Sequence, residues 1–145
     1  MKNSKGFSLI ELLVTVAIIG ILAAVGIASY TGYIGAAKEK QATTGLGSIY
    51  LAQEEYRSMN GTYFSSRATC ASSNDDTAAI NGSSSALGLF NADKVLNNEN
   101  FRWCISQTSA GFQAFAYSVL DSTTYLSINN QNSKEKVVSG TSTYW

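Results

Sequence analysis

The sequence predicts an α+β protein in which a long N-terminal helix packs on an antiparallel sheet of three to four strands. Apolar residues fill almost every position from Phe7 to Ala28, and apolar residues then recur at helical spacing as far as Met59. After residue 100, apolar and polar residues alternate in short runs between turn residues, which is typical of half-buried strands. The apolar half of the helix is expected to protrude and the amphipathic half to cover the sheet.

Composition excludes several kinds of site. The 145 residues contain no histidine, which excludes Ser-His-Asp and Cys-His catalytic groups and histidine-based zinc sites. Two cysteines are too few for a four-thiolate zinc or iron–sulfur site. Ten Lys and Arg balance ten Asp and Glu, so charge does not indicate nucleic-acid binding. We therefore expect that the protein is not an enzyme and that it binds neither a cofactor nor a metal ion.

The segment from Phe7 to Ala28 has 22 residues and a single charge, Glu11. As a helix it would be roughly 33 Å long, enough to cross a bilayer core of about 30 Å. Lys2 and Lys5 precede it, and basic residues keep their side of a membrane span in the cytoplasm. We therefore expect one span whose N-terminus is cytoplasmic.

Three interpretations of this segment compete. An ordinary secretory signal would have a shorter apolar region, of about 7–15 residues. A plain membrane anchor would carry the acid at position 11 as a tolerated cost. In a processed segment the same acid would have a purpose, because cleavage before Phe7 creates an α-amino group one helical turn from Glu11.

Gly6-Phe7-Ser8-Leu9-Ile10-Glu11, after a short basic leader and before an unbroken apolar run, resembles the class III signal of type IV pilins and type II secretion pseudopilins. The resemblance is close over about the first sixty residues and extends to the architecture of the rest. It implies the pilin fold, with residues 1–6 as a leader and 7–28 as the half-helix for membrane insertion and assembly.

The resemblance also implies a role for each residue of the motif. A prepilin peptidase would cut between Gly6 and Phe7 and methylate the new amine of Phe7. Glu11 would pair with the Phe7 amine of a neighbouring subunit, so that a subunit docks only where its acid meets an amine. Removing one partner of a charge pair in a dry environment destabilises the protein by roughly 3–5 kcal/mol, because the other charge stays buried without compensation.

Residues 29–59 form the predicted amphipathic half-helix. Its apolar stripe comprises Leu46, Ile49, Ala52, Tyr56 and Met59, and its polar side carries Lys38, Lys40, Gln41, Gln53 and Glu54. Asn60-Gly61 is expected to end the helix. Residues 60–100 are predicted as a loop, with a short helix or turns between Ala86 and Leu96.

Residues 101–145 are predicted to form the antiparallel sheet and the C-terminal tail. The expected strands cover residues 101–107, 112–119 and 125–128, with a possible fourth at 136–139. Cys70 in the loop and Cys104 in the first strand are the two thiols, and outside the cytoplasm such a pair favours a disulfide over two free buried thiols.

The resemblance implies a structural subunit that polymerises with itself into a type IV pilus, for adhesion, twitching motility or DNA uptake. The subunit would wait in the inner membrane, be extracted by an assembly platform with a separate ATPase, and end in an extracellular fibre. Alternatives are a type II secretion pseudopilin, a minor pilin and, more remotely, a membrane-anchored binding module that never polymerises. Asp121 and Glu135 are few ligands for the calcium site of major pseudopilins.

Overall fold

The computed structural model describes residues 6–82, 88–91 and 93–145, with the side chains of 28, 29 and 31 left aside. The chain divides into two compact units, Met1–Lys38 and Glu39–Trp145. A long helix and a five-stranded antiparallel sheet confirm the predicted α+β class. The elements are α1 (Leu9–Asn60), α2 (Thr77–Asn81), β1 (Phe101–Thr108), β2 (Gly111–Ser118), β3 (Tyr125–Asn129), β4 (Lys134–Val138) and β5 (Thr141–Tyr144).

Helix α1 ends at the predicted Asn60-Gly61 pair. Gly61 has φ of +74°, a left-handed conformation that glycine adopts without a Cβ clash. Its N–H donates to the carbonyl of Arg57 at 2.8 Å, and the Asn60 amide donates to the carbonyl of Tyr56 at 3.0 Å. These two bonds satisfy carbonyls that the last helical turn would otherwise leave unpaired.

The sheet-facing side of α1 consists of Ala42, Leu46 and Ile49, which are all fully buried. The prediction that Met59 belongs to the buried apolar stripe was wrong, because its side chain is exposed. It was also wrong to place Gln53 on the polar side, since this side chain is fully buried. Its amide donates to the carbonyl of Phe64 at 2.8 Å and accepts from the Phe64 N–H at 2.9 Å, so it satisfies backbone groups of the returning chain.

The five strands form a meander in sequence order, each antiparallel to the one before it. Four strands match the predicted ones within three residues at each end, and β5 was not predicted. Alternate residues of the sheet point towards α1 and form the main core. The core side chains of the sheet are Phe101, Trp103, Ile105, Phe112, Ala114, Ala116, Leu126 and Ile128.

The region between α1 and β1 contains α2, a short helix where a loop was predicted. Ile80 of α2 is fully buried in the core, and the Asn81 amide bonds both the N–H and the carbonyl of Leu96. Turns without a helix occupy residues 88–91, and residues 93–96 form neither a helix nor a strand. The remainder of the predicted 86–96 element, including Leu87, lies outside the described residues.

The loop before α2 covers the free edge of β1. The N–H of Ser66 donates to the carbonyl of Ile105 at 2.9 Å, and the N–H of Asp76 donates to the carbonyl of Trp103 at 2.8 Å. Arg67 forms an isolated parallel bridge with Ser106. The outward carbonyls of Trp103 and Ile105 are therefore paired, which protects this part of the edge from pairing with another chain.

Candidate functional site

The Gly6–Phe7 bond lies in an accessible, non-helical segment. Both residues are exposed, and α1 begins only at Leu9. The Phe7 side chain keeps 82% of its surface exposed, and a Cβ at position 6 would meet nothing within 4 Å. A peptide bond that is exposed and lies outside a helix is one that a protease can reach.

Ser8 and Glu11 form a reciprocal cap at the start of α1. The N–H of Ser8 donates to Oε2 of Glu11 at 3.0 Å, and the N–H of Glu11 donates to the Ser8 hydroxyl at 3.3 Å. This is a capping box, in which two side chains satisfy backbone donors of the first turn. Among the described residues, Oε1 of Glu11 makes no hydrogen bond and remains available to a further donor.

No role was predicted for Ser8. The spacing Ser-x-x-Glu ahead of an apolar run is a known signal for a helix start, and it would have identified this cap. The carboxylate beyond it borders a shallow, mostly apolar depression of about 370 Å³, which Phe7, Ile10, Val14 and Thr15 also line.

Thr15 is the next polar side chain of the segment, and it is satisfied within the helix. Its hydroxyl donates to the carbonyls of Glu11 and Leu12 at 2.9 and 2.8 Å. A hydroxyl that bonds the preceding turn adds little polarity to an apolar surface. Between Phe7 and Ile27, Glu11 is the only residue with an ionisable side chain.

The apolar part of α1 has no cover within its own unit. Its large apolar side chains from Phe7 to Ile27 are each 48–82% exposed. By length and composition α1 can cross a membrane, since an 18-residue window reaches a mean hydropathy of 2.6 and is wholly unburied. An exposed apolar surface of this extent requires lipid or other protein around it. Lys2 and Lys5, which bear on its orientation, lie outside the described residues.

The disulfide predicted between Cys70 and Cys104 is confirmed. The two Cα atoms are 5.8 Å apart, within the usual range for a disulfide. Cys104 pairs with Phe115 on the face of the sheet opposite α1, so the bond fastens the loop to this outer face. Arg102 reaches the same loop, because its guanidinium donates to the carbonyl of Ser72 at 3.1 Å.

In the unit Glu39–Trp145, called the sheet unit below, two acidic side chains accept hydrogen bonds from neighbouring donors. Hydrogen bonds from Thr124 and Thr123 lower the pKa of Asp121. Burial raises the pKa of Asp75, but hydrogen bonds from Thr77 and Asn98 outweigh it and leave that pKa lowered. Within residues 6–82, 88–91 and 93–145, no three His, Cys, Asp or Glu side chains are grouped so as to hold a metal ion.

The N-terminal segment matches a known protein family. Residues 1–27 match the family described as the prokaryotic N-terminal methylation motif. The chain is 42% identical over 61 residues to the "Type IV major pilin protein PilA" of Myxococcus xanthus, a match that covers 42% of this chain and 28% of that protein.

Two further relatives give similar matches. The chain is 42% identical over 72 residues to the "Type IV wide pilus major component PilA4" of Thermus thermophilus, covering 50% of this chain and 55% of the relative. It is 50% identical over 44 residues to a "Fimbrial protein" of Moraxella nonliquefaciens, covering 30% and 29%. The chain thus aligns with between 28% and 55% of the length of these three relatives.

No solved structure matches the chain. The long helix and the antiparallel sheet are consistent with the pilin fold that the resemblance implies, and residues 1–27 carry the methylation motif. In its sequence the chain is therefore similar to type IV pilins, over the part of its length that these matches cover.

Proposed function

We propose that the chain is a structural subunit that polymerises through its N-terminal helix into a type IV pilus. The observation that carries the proposal is the apolar half of α1, which is uncovered along its whole length and carries Glu11 in its first turn. A solvent-exposed apolar helix is stable only in lipid or against other helices. Lipid would surround the apolar half of α1 while the subunit is in the membrane, and the helices of other subunits would surround it in the fibre.

Processing is the first step of the proposed pathway. A prepilin peptidase cuts the exposed bond between Gly6 and Phe7 and methylates the new amine of Phe7, in keeping with the methylation motif at residues 1–27. The leader takes Lys2 and Lys5 with it, which changes ten basic and ten acidic side chains to eight and ten, a balance of −2.

Docking follows from the chemistry of the new terminus. The amine of an incoming subunit pairs with Glu11 of its neighbour, whose Oε2 already bonds the Ser8 N–H while Oε1 is available. An acid left unpaired inside a bundle of apolar helices would be a buried charge, which is strongly destabilising. Pairing therefore favours one position of each subunit along its neighbour.

Before assembly, the subunit is a single-span protein of the inner membrane with a cytoplasmic N-terminus. An assembly platform and a separate ATPase supply the work of extraction, and the chain itself performs no catalysis. The fibre serves adhesion, twitching motility or DNA uptake. Asp121 and Glu135 are few carboxylates for the six to eight oxygen ligands of a calcium site, which favours a pilin over a calcium-holding pseudopilin.

Electron microscopy of fibres sheared from cells tests the proposal, together with mass spectrometry of the purified subunit. We expect fibres built of this chain, with a methylated Phe7 as the first residue. Surface fibres that lack the chain would exclude it as their main subunit. A subunit that keeps residues 1–6 inside fibres would refute the processing step.

A further inference from the structure

The two edges of the sheet differ in how they are covered. Along β1, the loop before α2 pairs with the carbonyls of Trp103 and Ile105. Along β5, at the opposite edge, no described residue outside β4 bonds the backbone of Thr141–Tyr144. All four residues of β5 are exposed. An uncovered edge presents a row of N–H and carbonyl groups that can pair with another strand.

The hydrogen-bond pattern of the hairpins shows which backbone groups of β5 are free. In the β3–β4 hairpin, the N–H of Asn129 donates to the carbonyl of Ser133 at 3.2 Å, so these two residues form a hydrogen-bonded pair. Such pairs alternate along antiparallel strands. Glu135 and Val137 therefore bond β3, and Lys136, which lies between them, bonds β5.

The β4–β5 turn leads to the same assignment. It has two residues, both with positive φ, and such a turn is closed by a hydrogen-bonded pair, which here is Val138 and Thr141. Alternation then makes Thr143 the second residue of β5 that bonds β4. The N–H and carbonyl groups of Ser142 and Tyr144 therefore point away from β4, towards the uncovered side of the edge.

Strand β5 lacks three features that often protect an edge strand. A charged side chain, a proline or a bulge makes an edge a poor partner for another strand. Thr141–Tyr144 contains neither a charge nor a proline, and it pairs with β4 without a break in register. Threonine and tyrosine also favour the extended conformation of a strand. The edge is therefore suited to accept a further strand.

A second copy of β5 fits this edge in one antiparallel register. When Thr143 faces Thr143 of the second copy, Ser142 of each chain faces Tyr144 of the other, and all the outward groups of both strands are bonded. A two-fold axis then passes between the two threonines. A strand that pairs with its own copy also meets its own charges, and β5 carries none that would repel.

We propose that two copies of the chain associate through β5, antiparallel and in this register, so that their sheets become one continuous sheet. Two chains related by a two-fold axis point in opposite directions, whereas the head-to-tail contact of a fibre keeps all subunits in one direction. The association therefore links separate subunits or separate fibres. Its failure and the failure of the pilus proposal are separate results.

The test uses the full chain in detergent micelles at millimolar concentration, because a strand of four residues pairs weakly. Half of the molecules carry a carbon isotope label and half a nitrogen isotope label, so NOE signals between the two labels report only contacts between chains. We expect such signals between Ser142 of one copy and Tyr144 of the other, and between the two Thr143 residues. The chemical shift of the Tyr144 amide as a function of protein concentration measures the association.

Ser142→Pro removes an outward N–H from each chain and leaves the bonds between β4 and β5 in place. The association should weaken about tenfold, as expected for the loss of these hydrogen bonds. Ser142→Ala is the matched control, because it keeps the N–H and loses only the hydroxyl bond to Glu135. It should associate as the wild type does.

Tyr144→Pro provides a second variant if Ser142→Pro prevents the formation of β5. Three results would overturn the proposal: no contact between β5 strands at millimolar concentration, contacts of β5 with another segment of the second chain, and association that the proline variants leave unchanged. The second result would show that the edge accepts a strand other than its own copy.

Discussion

The Arg67 guanidinium and the Asp76 carboxylate form a two-point ion pair, with Nε to Oδ2 at 2.8 Å and Nη2 to Oδ1 at 2.5 Å. Asp76 is buried and Arg67 is 40% exposed. The Ser66 hydroxyl donates to the same carboxylate at 2.7 Å, and the backbone of Ser66 and of Asp76 pairs with β1. The ion pair thus closes the loop segment that covers the edge of the sheet.

Asp76→Asn should lower the free energy of unfolding by roughly 1–3 kcal/mol. The amide keeps the shape of the carboxylate but loses its charge and one of the two oxygens that accept from Arg67, and the exposure of Arg67 moderates the loss. Urea unfolding of the full chain in detergent measures the change. Asp93→Asn, at an exposed position, is the control and should have little effect. Equal stability of the two variants would contradict the role of the pair.

The same ion pair predicts a pH dependence. Hydrogen bonds from Arg67 lower the pKa of Asp76, against burial that raises it. The unfolded chain then takes up this proton at a higher pH than the folded one, so the stabilisation is complete above the unfolded pKa of about 3.9 and is lost as the pH falls through the folded pKa. The difference between wild type and Asp76→Asn should therefore shrink below about pH 4. A difference that grows in acid would have the wrong sign.

Removal of the disulfide should destabilise the sheet unit without changing its fold. Cys70 and Cys104 are separated by 34 positions, and the chain-entropy estimate for a loop of that size is roughly 3–4 kcal/mol. Thermal unfolding of a Cys70→Ser, Cys104→Ser double variant gives the value. Reductant should lower the melting temperature of the wild type and leave the double variant unchanged. Equal melting of the two proteins without reductant would show that the bond adds no stability.

Two glycines of α1 should respond oppositely to alanine. A Cβ at Gly45 would lie 2.3 Å from Cη2 of the buried Trp103, whereas a Cβ at Gly47 would meet nothing within 4 Å. Gly45→Ala should cost about 1–3 kcal/mol by overpacking, after any gain in helix propensity. Gly47→Ala should gain about 0.5–1 kcal/mol. Stabilisation by both substitutions in urea unfolding would show that Trp103 can move aside.

Variants of Glu11 can separate helix capping from charge pairing. Glutamine can replace glutamate in a capping box, so Glu11→Gln keeps the bond to Ser8 and removes the charge. We expect Glu11→Gln and Glu11→Ala both to be lost from fibres, while Ser8→Ala is still incorporated. Immunoblots of sheared fibres and of membranes measure the two pools. Normal incorporation of Glu11→Gln with loss of Ser8→Ala would mean that only the cap matters.

Features that depend on neighbouring residues could be predicted from the sequence. The continuous apolar run predicted the first half of α1, and the Asn60-Gly61 pair predicted its end. Alternation predicted β1 and β2, while β3 was predicted as a shorter run and β4 only as a possible strand. Strand β5 was missed because all four of its residues are exposed, which leaves no alternation of apolar and polar positions to detect. Helix α2 has five residues, too few to show a helical period.

Gln53 shows why other features could not be predicted. Its amide is buried because the chain returns past it eleven residues later and presents the backbone of Phe64. Helical periodicity assigns residues to faces by polarity and contains no information on where the chain returns. The cap between Ser8 and Glu11 is different, since its spacing was visible in the sequence.

The meander order of the strands has a consequence for how the protein folds. Each strand pairs with its predecessor, so the sheet can be completed hairpin by hairpin without closing a long loop, and domains dominated by local contacts fold fast. Two steps bring together residues that are far apart in the sequence. They are the packing of Leu46 and Ile49 of α1 against the sheet and the formation of the Cys70–Cys104 disulfide. Thiol oxidation is the slowest of these, taking seconds to hours, so the state of this bond records the redox compartment in which a subunit folded.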